Sequence, residues 1–373
     1  MDRLSGRLIL EDKLVAGTLT IEDGLITDVA VGAASDAGEN FISPGFVDVH
    51  VHGWGGHSAM GDRAALDGMA RALLRRGVTS FLPTAVTAPL DELTDFAQRV
   101  RGWLPMAPGD GAEPLGFNLE GPFLADARRG AHDPALLLRP EDVSPAQVAP
   151  LIDGLRVITI APELPGAWPL IAALAGRGIV VSLGHSAATL DEARDGYAAG
   201  ACSTTHLFNA MTGVDHRAPG LAVAALLDDD VYTELIADGI HVDRALWPLI
   251  ARLKPIERLL LVSDAIPLAG TGDGRGRLGS LEIEIAGERV TLAGTNTLAG
   301  SVLALDVAVR NMIGAGIALP AAVAAASRNP LEMLGIHDRG RLAPGQHADL
   351  IELDADLNVR RVMRSGHWLV DSH

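Results

Sequence analysis

Eight short apolar segments recur between Phe41 and Ile266, and polar breaks and Ala-, Leu- and Arg-rich segments with helical spacing separate them. They are FVDVHVH (46–52), VTSFLPTAV (78–86), LGFNLEG (115–121), RVITIAPE (156–163), IVVSLGH (179–185), CSTTHLFNA (202–210), YTELIADGIHV (232–242) and LLLVSDA (259–265). Apolar runs that alternate with helices are typical of parallel strands covered on both faces. Eight such units in this length of chain predict a (β/α)8 barrel of the TIM type. A doubly wound open sheet is the alternative, because the number of strands alone does not exclude it.

The two ends of the chain have a different pattern. Residues 1–45 and 336–373 alternate apolar and polar side chains and contain glycine-rich turns, which is typical of antiparallel strands with one solvated face. Neither end has enough strands to form a stable sheet alone. We therefore predict that the two ends together form a small β-sandwich domain, beside a barrel that occupies residues 46–335.

A glycine-rich segment, AGTGDGRGRLG (269–279), superficially resembles a phosphate-binding loop. It is followed by LEIEIAGERVTL, which has the pattern of a strand. Phosphate-binding loops of this kind depend on the N-terminus of a helix that follows them. We therefore predict a mobile lid or a hairpin here, and no phosphate site.

Charge and composition exclude several classes of protein. The chain has 47 acidic and 30 basic side chains, a net charge of −17, whereas nucleic-acid binding needs a basic surface. No apolar run of about 20 residues is uninterrupted, so we expect no membrane span. The first residues carry acids within their apolar stretch and lack a cleavage site, so we expect no signal peptide. The one cysteine, Cys202, cannot form a disulfide within the chain, which favours the cytoplasm.

Polar side chains fall at the carboxyl ends of the predicted barrel strands, where barrel enzymes build their active sites. They are His50, His52, Glu120, His185, His206 and Asp264. His50 and His52 point the same way because side chains alternate along a strand. Each of these residues alone would be an ordinary loop or cap residue. Four histidines and two carboxylates at one end of a barrel favour a catalytic metal site.

Six motifs, taken in order, carry a family resemblance. They are PGFVDVHVHGWGG (44–56), NLEGPF (118–123), GHS (184–186), THLFNAM (205–211), ADGIHVD (237–243) and VSDA (262–265). Together they resemble the N-acetylglucosamine-6-phosphate deacetylase family of the amidohydrolase superfamily. The resemblance implies a homodimeric enzyme that uses a divalent metal to hydrolyse the acetamido group of N-acetylglucosamine 6-phosphate, releasing glucosamine 6-phosphate and acetate.

The resemblance also implies a set of metal ligands. Glu120, His185 and His206 match the principal ligands, while His50 and His52 match a pair that binds a second ion in some members. One or two ions per subunit are therefore expected, and Zn, Fe, Mn and Co all suit histidine with carboxylate. Many superfamily members instead bridge two metals with a carboxylated lysine at the end of strand four. Here that strand ends in APE, and the only two lysines, Lys13 and Lys254, lie elsewhere in the sequence.

The remaining site residues follow from the same resemblance. Asp264 matches the catalytic acid and base, and His132 matches a histidine that polarises the acetyl carbonyl. Arg217 matches a residue that reaches the substrate phosphate from the neighbouring subunit. The other implied substrate contacts are Ala131, Asn209, Ala210, His241, Leu298, Ala299 and Gly300.

Two other functions remain open at this point. One is an amidohydrolase that acts on a different N-acyl substrate, such as an N-acyl amino acid. It would be favoured if Arg217 and His241 did not converge near the metal. The other is a catalytically silent barrel used as a scaffold, which is disfavoured because every implied ligand and the acid/base are retained. The acidic net charge excludes polyanions but does not exclude a sugar phosphate, which needs only a local cluster of basic groups.

Overall fold

The computed structural model describes residues 2–32 and 40–371, so residues 1, 33–39 and 372–373 of the predicted terminal domain lie outside it. Its strands are β1 (Asp2–Ile9), β2 (Leu14–Glu22), β3 (Leu25–Val31), β4 (Phe41–Pro44), β5 (Phe46–Val51), β6 (Gly53–Trp54), β7 (His57–Ser58), β8 (Val78–Val86), β9 (Glu113–Pro114), β10 (Phe117–Glu120), β11 (Leu155–Ile160), β12 (Val180–Leu183), β13 (Ser203–Thr204), β14 (Tyr232–Leu235), β15 (Leu259–Leu261), β16 (Gly274–Leu278), β17 (Leu281–Ala286), β18 (Arg289–Leu292), β19 (Leu350–Leu353), β20 (Val359–Arg364) and β21 (His367–Asp371).

Helices fill most of the connections between these strands. The α-helices are α1 (Arg63–Leu74), α2 (Leu90–Trp103), α3 (Pro145–Ile152), α4 (Ala167–Ala175), α5 (Leu190–Ala198), α6 (Leu221–Leu227), α7 (Trp247–Leu253), α8 (Leu305–Gly314), α9 (Leu319–Ala325) and α10 (Arg328–Met333). Single turns of 3-10 helix cover Leu104–Met106, Asp126–Arg128, Pro134–Leu136, Pro140–Asp142, Arg244–Leu246 and Ile256–Arg258. Within the described ranges, no helix combines the length and the apolar character needed to cross a membrane.

A parallel barrel forms the centre of the molecule. Its strands follow one another in the order β5, β8, β10, β11, β12, β13, β14 and β15. Seven of them lie within the predicted segments, and β11 begins one residue before its segment, at Leu155. The ends of this sheet meet, since Val51 pairs with Ala265 and the amide of Asp264 donates to the carbonyl of His50 at 2.9 Å. The predicted barrel is therefore confirmed, and the open-sheet alternative is wrong.

The barrel strands are covered on both faces, as their apolar sequences require. All nine residues of β8 are buried. Outside it, α1 presents buried side chains at helical spacing, including Leu66, Met69 and Leu73. The side chain of Asp62 caps this helix by accepting from the amide of Ala65 at 2.9 Å. Because all eight strands run in parallel, their carboxyl ends form one rim.

Strands from both ends of the chain form one seven-stranded sheet beside the barrel. Its order is β21, β20, β19, β4, β1, β2 and β3, with antiparallel pairing except between β1 and β4. The sheet has a core of its own, to which both ends contribute, formed by Leu8, Leu19, Ile21, Ile26, Ile42, Leu342, Ala348, Leu350 and Met363. The small β-domain is thus built as predicted. Its boundaries at residues 45 and 336 remain predictions.

The glycine-rich segment leads into a three-stranded antiparallel sheet, β16 to β18. The turn between β16 and β17 reaches the barrel rim, where the Ser280 hydroxyl donates to Oδ2 of Asp133 at 3.2 Å. The segment is therefore a hairpin, as its strand-like continuation indicates.

The shared core predicts how the two chain ends depend on each other. Leu350 in β19 is fully buried among side chains from the N-terminal strands, whereas Leu25 in β3 is 37% exposed. We expect Leu350→Ala to lower the free energy of unfolding by about 2–5 kcal/mol. The matched change Leu25→Ala should cost less than about 1 kcal/mol. Urea unfolding monitored by circular dichroism measures both, and equal losses for the two variants would argue against the shared core.

Candidate active site

The polar residues singled out above lie together at the carboxyl rim of the barrel. His50 and His52 lie at the end of β5, and Glu120 is the last residue of β10. Three others follow a strand by two or three residues and adopt left-handed backbone conformations, with φ of 46° at His185, 28° at His206 and 50° at Asp264. Such conformations are uncommon for residues other than glycine and cluster at functional sites.

The carboxylate of Glu120 is the centre of this cluster. It is only 4% exposed, and five imidazole rings turn a nitrogen toward it. Its Oε1 lies 3.0 Å from Nε2 of His185, 3.0 Å from Nε2 of His206 and 3.5 Å from Nε2 of His50. Its Oε2 lies 3.2 Å from Nε2 of His52 and 3.3 Å from Nε2 of His132.

Two groups of potential metal ligands share this carboxylate. The first consists of His50, His52, Glu120 and Asp264, and the second of Glu120, His185 and His206. Within each group the ligand atoms lie within 4.8 Å of one another. The arrangement has room for an ion in either group, or for one in each with Glu120 between them.

The hydrogen bonds of the ring nitrogens determine which nitrogen of each histidine is available to bind a cation. Nδ1 of His52 lies 3.1 Å from the carbonyl oxygen of Thr84, and Nδ1 of His185 lies 3.1 Å from that of Arg128. A carbonyl oxygen only accepts, so in both rings Nδ1 carries a hydrogen, and Nε2 is the nitrogen that faces Glu120 and can bind a cation when it is deprotonated. Nε2 of His50 is buried without a hydrogen-bond partner among the described residues. Imidazole nitrogens with carboxylate oxygens suit a divalent transition metal, so the residues fit such an ion.

The electrostatics of the cluster also favour a bound cation. Burial disfavours the ionised form of Asp264, but its hydrogen bond with His52 and nearby histidines outweigh this and lower the pKa of its carboxyl group. Burial likewise opposes a charged His52, yet its hydrogen bonds to Asp264 and Glu120 raise the pKa of its imidazole to about 9. At His185 burial prevails and lowers the pKa to about 4, so this ring is neutral. The carboxylates are therefore anionic and are balanced by neighbouring positive charge.

A cavity of about 280 Å³ opens from the cluster to the surface. Besides the ligand groups, its lining includes Ala131, His132, Asn209, Ala210, His241, Leu298 and Gly300, all of them predicted substrate or catalytic residues. Leu278, from the hairpin, also lines it. Three predicted residues are not part of this wall: His50 and Ala299 are fully buried, and Arg217 lies exposed on the loop before α6.

His241 lines this cavity, and a hydrogen bond to Asp238 orients its ring. Its Nδ1 lies 2.6 Å from Oδ2 of Asp238, whose other oxygen accepts from the amides of Ile240 and His241 at 2.8 Å. Burial would raise the pKa of Asp238, but the hydrogen bonds from His241 outweigh it and lower that pKa. The anionic Asp238 therefore fixes the orientation of the His241 ring.

Two buried acids support the cluster and are absent from the residues predicted from the sequence. Oε2 of Glu234 in β14 lies 3.0 Å from Nδ1 of His50 and accepts from the amide of His206 at 3.2 Å. Oδ1 of Asp48 in β5 accepts from the amides of His50 and Ser263, both at 3.3 Å. Burial raises the pKa of Asp48 to about 6. In the sequence, each of these two acids could have been recognised as an acidic residue inside an otherwise apolar strand.

Neither lysine of the chain enters the cluster. Lys13 is exposed in the turn between β1 and β2. Nζ of Lys254 donates to the carbonyls of Ala225, at 2.9 Å, and Asp228 at the end of α6. At the end of the fourth barrel strand, Glu163 accepts from the Ser186 hydroxyl at 2.7 Å and so anchors the loop that carries His185.

Comparisons with known proteins agree with this geometry. The sequence profile of the amidohydrolase family matches residues 41–369. N-acetylglucosamine-6-phosphate deacetylase of Bos taurus is 38% identical over 98% of this chain and 93% of its own length. N-acetylgalactosamine-6-phosphate deacetylase of Escherichia coli O157:H7 is also 38% identical, over 93% of each chain.

One solved structure of a relative contains a substrate. It is a mutant of N-acetyl-D-glucosamine-6-phosphate deacetylase from Mycobacterium smegmatis in complex with N-acetyl-D-glucosamine-6-phosphate. It superposes with a TM-score of 0.90 at 36% sequence identity, covering 99% of both chains.

Proposed function

The chain belongs to the amidohydrolase family and, within it, to the N-acetylglucosamine-6-phosphate deacetylases, and from this we propose that it hydrolyses N-acetylglucosamine 6-phosphate to glucosamine 6-phosphate and acetate. The observation that carries the proposal is the position of Glu120. Its carboxylate belongs to both ligand groups, and it lines the same cavity as His241. One pocket thus combines a cation site with a basic group for the phosphate.

We propose that Glu120, His185 and His206 hold one divalent ion and that His50, His52 and Asp264 contribute to a second position. A divalent ion bound here lowers the pKa of a coordinated water from about 15.7 toward 7 and polarises a carbonyl oxygen. Zn, Fe, Mn and Co all fit these ligands, so the residue types leave the choice of metal open.

Asp264 is the proposed proton carrier of the reaction. Its Oδ1 lies 3.1 Å from Nε2 of His52, and its lowered pKa keeps it ionised and able to accept a proton. It accepts the proton of the attacking water and returns it to the nitrogen of the departing amine. The second transfer is necessary because an amide anion is a very poor leaving group.

His132 and the pocket wall position the substrate. Nε2 of His132 lies 3.3 Å from Glu120, at the place where an acetyl carbonyl would meet the ligand groups. Its Nδ1 lies 2.8 Å from the hydroxyl of Thr87, which fixes the ring. From this position His132 stabilises the negative charge that develops on the carbonyl oxygen. Asn209 and Ala210 contact the sugar, and His241 faces the phosphate.

A second candidate substrate is N-acetylgalactosamine 6-phosphate, since one relative with 38% identity has the corresponding deacetylase name. The two sugars differ only in the configuration of one hydroxyl, and the metal cluster does not distinguish them. Of the two residues whose convergence near the metal would disfavour an N-acyl amino acid, His241 lines the same cavity as the ligand groups, whereas Arg217 of the same chain does not. This alternative is therefore disfavoured only if Arg217 of a second copy completes the site. We also propose a cytoplasmic location, in keeping with the single, partly buried Cys202.

The proposal is tested by measuring acetate release from N-acetylglucosamine 6-phosphate, N-acetylgalactosamine 6-phosphate and unphosphorylated N-acetylglucosamine with protein loaded with each of the four metals. We expect the phosphorylated sugars to be preferred. Asp264→Asn should lower kcat by at least about 100-fold because it removes the proton carrier. Absence of acetate release with every metal would refute the proposed activity, and full activity of Asp264→Asn would remove its assigned role.

We further propose that the enzyme is a homodimer in which Arg217 reaches the phosphate in the neighbouring subunit. Arg217 lies outside the cavity of its own chain, on an exposed loop. Large apolar side chains are exposed on that loop, at Val214, and on or next to α6 and α7, at Leu227, Leu246, Leu249 and Leu253. An exposed apolar patch of this kind supports a contact with a second copy.

Mixing two inactive or impaired variants tests this arrangement. Arg217→Ala should raise KM about 10- to 100-fold because a charged hydrogen bond to phosphate is lost. In a mixed dimer of Arg217→Ala and Asp264→Asn subunits, one of the two active sites contains both Asp264, from the first subunit, and Arg217, from the second. After unfolding and refolding an equal mixture, we expect about a quarter of the wild-type activity at low substrate concentration. If the mixture shows no more activity than the two variants measured separately, Arg217 does not act across a subunit boundary.

A further inference from the structure

Glu234 is a fully buried carboxylate on β14 that the proposed reaction does not use. Its Oε2 lies 3.0 Å from Nδ1 of His50, which belongs to β5 and is separated from β14 in the closed barrel by β15. The same oxygen accepts from the amide of His206 at 3.2 Å. Its second oxygen, Oε1, has no hydrogen-bond partner among the described residues. Glu234 thus connects two ligand residues, one from each metal group.

The contact from Glu234 makes His50 different from its neighbours. His52 and His185 are oriented by backbone carbonyls, which the fold supplies whatever the side chains are. His50 is oriented by a side chain, so a single substitution can remove its support. A carboxylate that accepts from Nδ1 leaves the lone pair of Nε2 free for a ligand and also makes that nitrogen a stronger donor.

The geometry at Nε2 is consistent with this function. Nε2 of His50 lies 3.5 Å from Oε1 of Glu120 and 3.7 Å from Oδ1 of Asp264, and both distances are too long for a hydrogen bond under good geometry. The ring is fully buried, and this nitrogen has no hydrogen-bond partner within the described chain. A buried, unpartnered nitrogen is costly unless a ligand occupies it.

We propose that Glu234 is a positioning residue that determines whether the group of His50, His52 and Asp264 binds a divalent ion. It touches neither the ion nor the substrate and acts through the ring of His50. The inference rests on the metal centre of the proposed function. It goes beyond the proposed function because it makes metal binding by one of the two ligand groups depend on Glu234, which is not itself a ligand.

Metal binding by Glu234→Leu, Glu234→Gln and Thr233→Val tests the inference. Equilibrium dialysis against Zn²⁺ with elemental analysis gives the number of ions and their affinities. We expect two ions in the wild type and a 10- to 100-fold weaker second ion in Glu234→Leu. Glu234→Gln retains an acceptor without the charge and should fall between the two. Thr233→Val is the matched control, because its buried hydroxyl lies on the same strand and has no partner within the described chain.

A double-substitution cycle separates positioning from a general structural effect. In a His50→Ala background, Glu234→Leu should have no further effect on zinc binding, because the two residues act through one ligand. If Glu234→Leu does not fold, the zinc affinity of Glu234→Gln tests the inference instead. Wild-type affinity for both ions in Glu234→Gln, or an additive loss in the cycle, would overturn the inference.

Failure of this inference is distinguishable from failure of the proposed function. Deacetylase activity with unchanged zinc binding in the Glu234 variants would overturn the inference alone. A wild type that binds a single ion at saturating zinc would do the same. A wild type that binds no zinc and releases no acetate would refute the proposed function itself.

Discussion

The carboxylate of Glu120 is the interaction on which the rest of the site depends. It accepts from or faces five imidazole rings that come from four different segments of the barrel. Removing a carboxylate from water costs several kcal/mol unless opposite charge or a cation compensates it. The carboxylate can therefore be buried only because the histidines surround it. The same arrangement of a carboxylate and ring nitrogens forms a site for a divalent ion. The chemistry proposed for the molecule follows from this one buried charge.

The site also lies on the seam at which the barrel closes. The amide of Asp264 donates to the carbonyl of His50 at 2.9 Å, and the amide of His52 donates to the carbonyl of Ala265 at 2.8 Å. The first and last strands of the barrel thus meet through residues that also carry ligand atoms. Because the seam fixes the backbone of both groups, barrel closure and site geometry are coupled. A bound ion is therefore expected to stabilise the fold as well as the site.

The barrel and the cluster of polar residues at its rim could be predicted from the sequence. Each strand is a continuous apolar run, and a polar residue that ends such a run is easily recognised, as at Glu120 or His206. Supporting residues are harder to recognise. Glu234 and Asp48 sit inside apolar strands, and only the closed barrel shows that they face His50. The position of Arg217 depends on a second chain and cannot follow from local pattern.

The central claim is that Glu120 lies between two divalent-ion positions. Anomalous X-ray scattering from crystals grown with zinc, recorded on both sides of the zinc absorption edge, locates each ion directly. We predict two peaks, one beside His185 and His206 and one beside His50 and His52, each about 2.0–2.2 Å from a carboxylate oxygen of Glu120. The absence of a peak at Glu120, or peaks confined to acidic residues of the outer surface, would contradict the account.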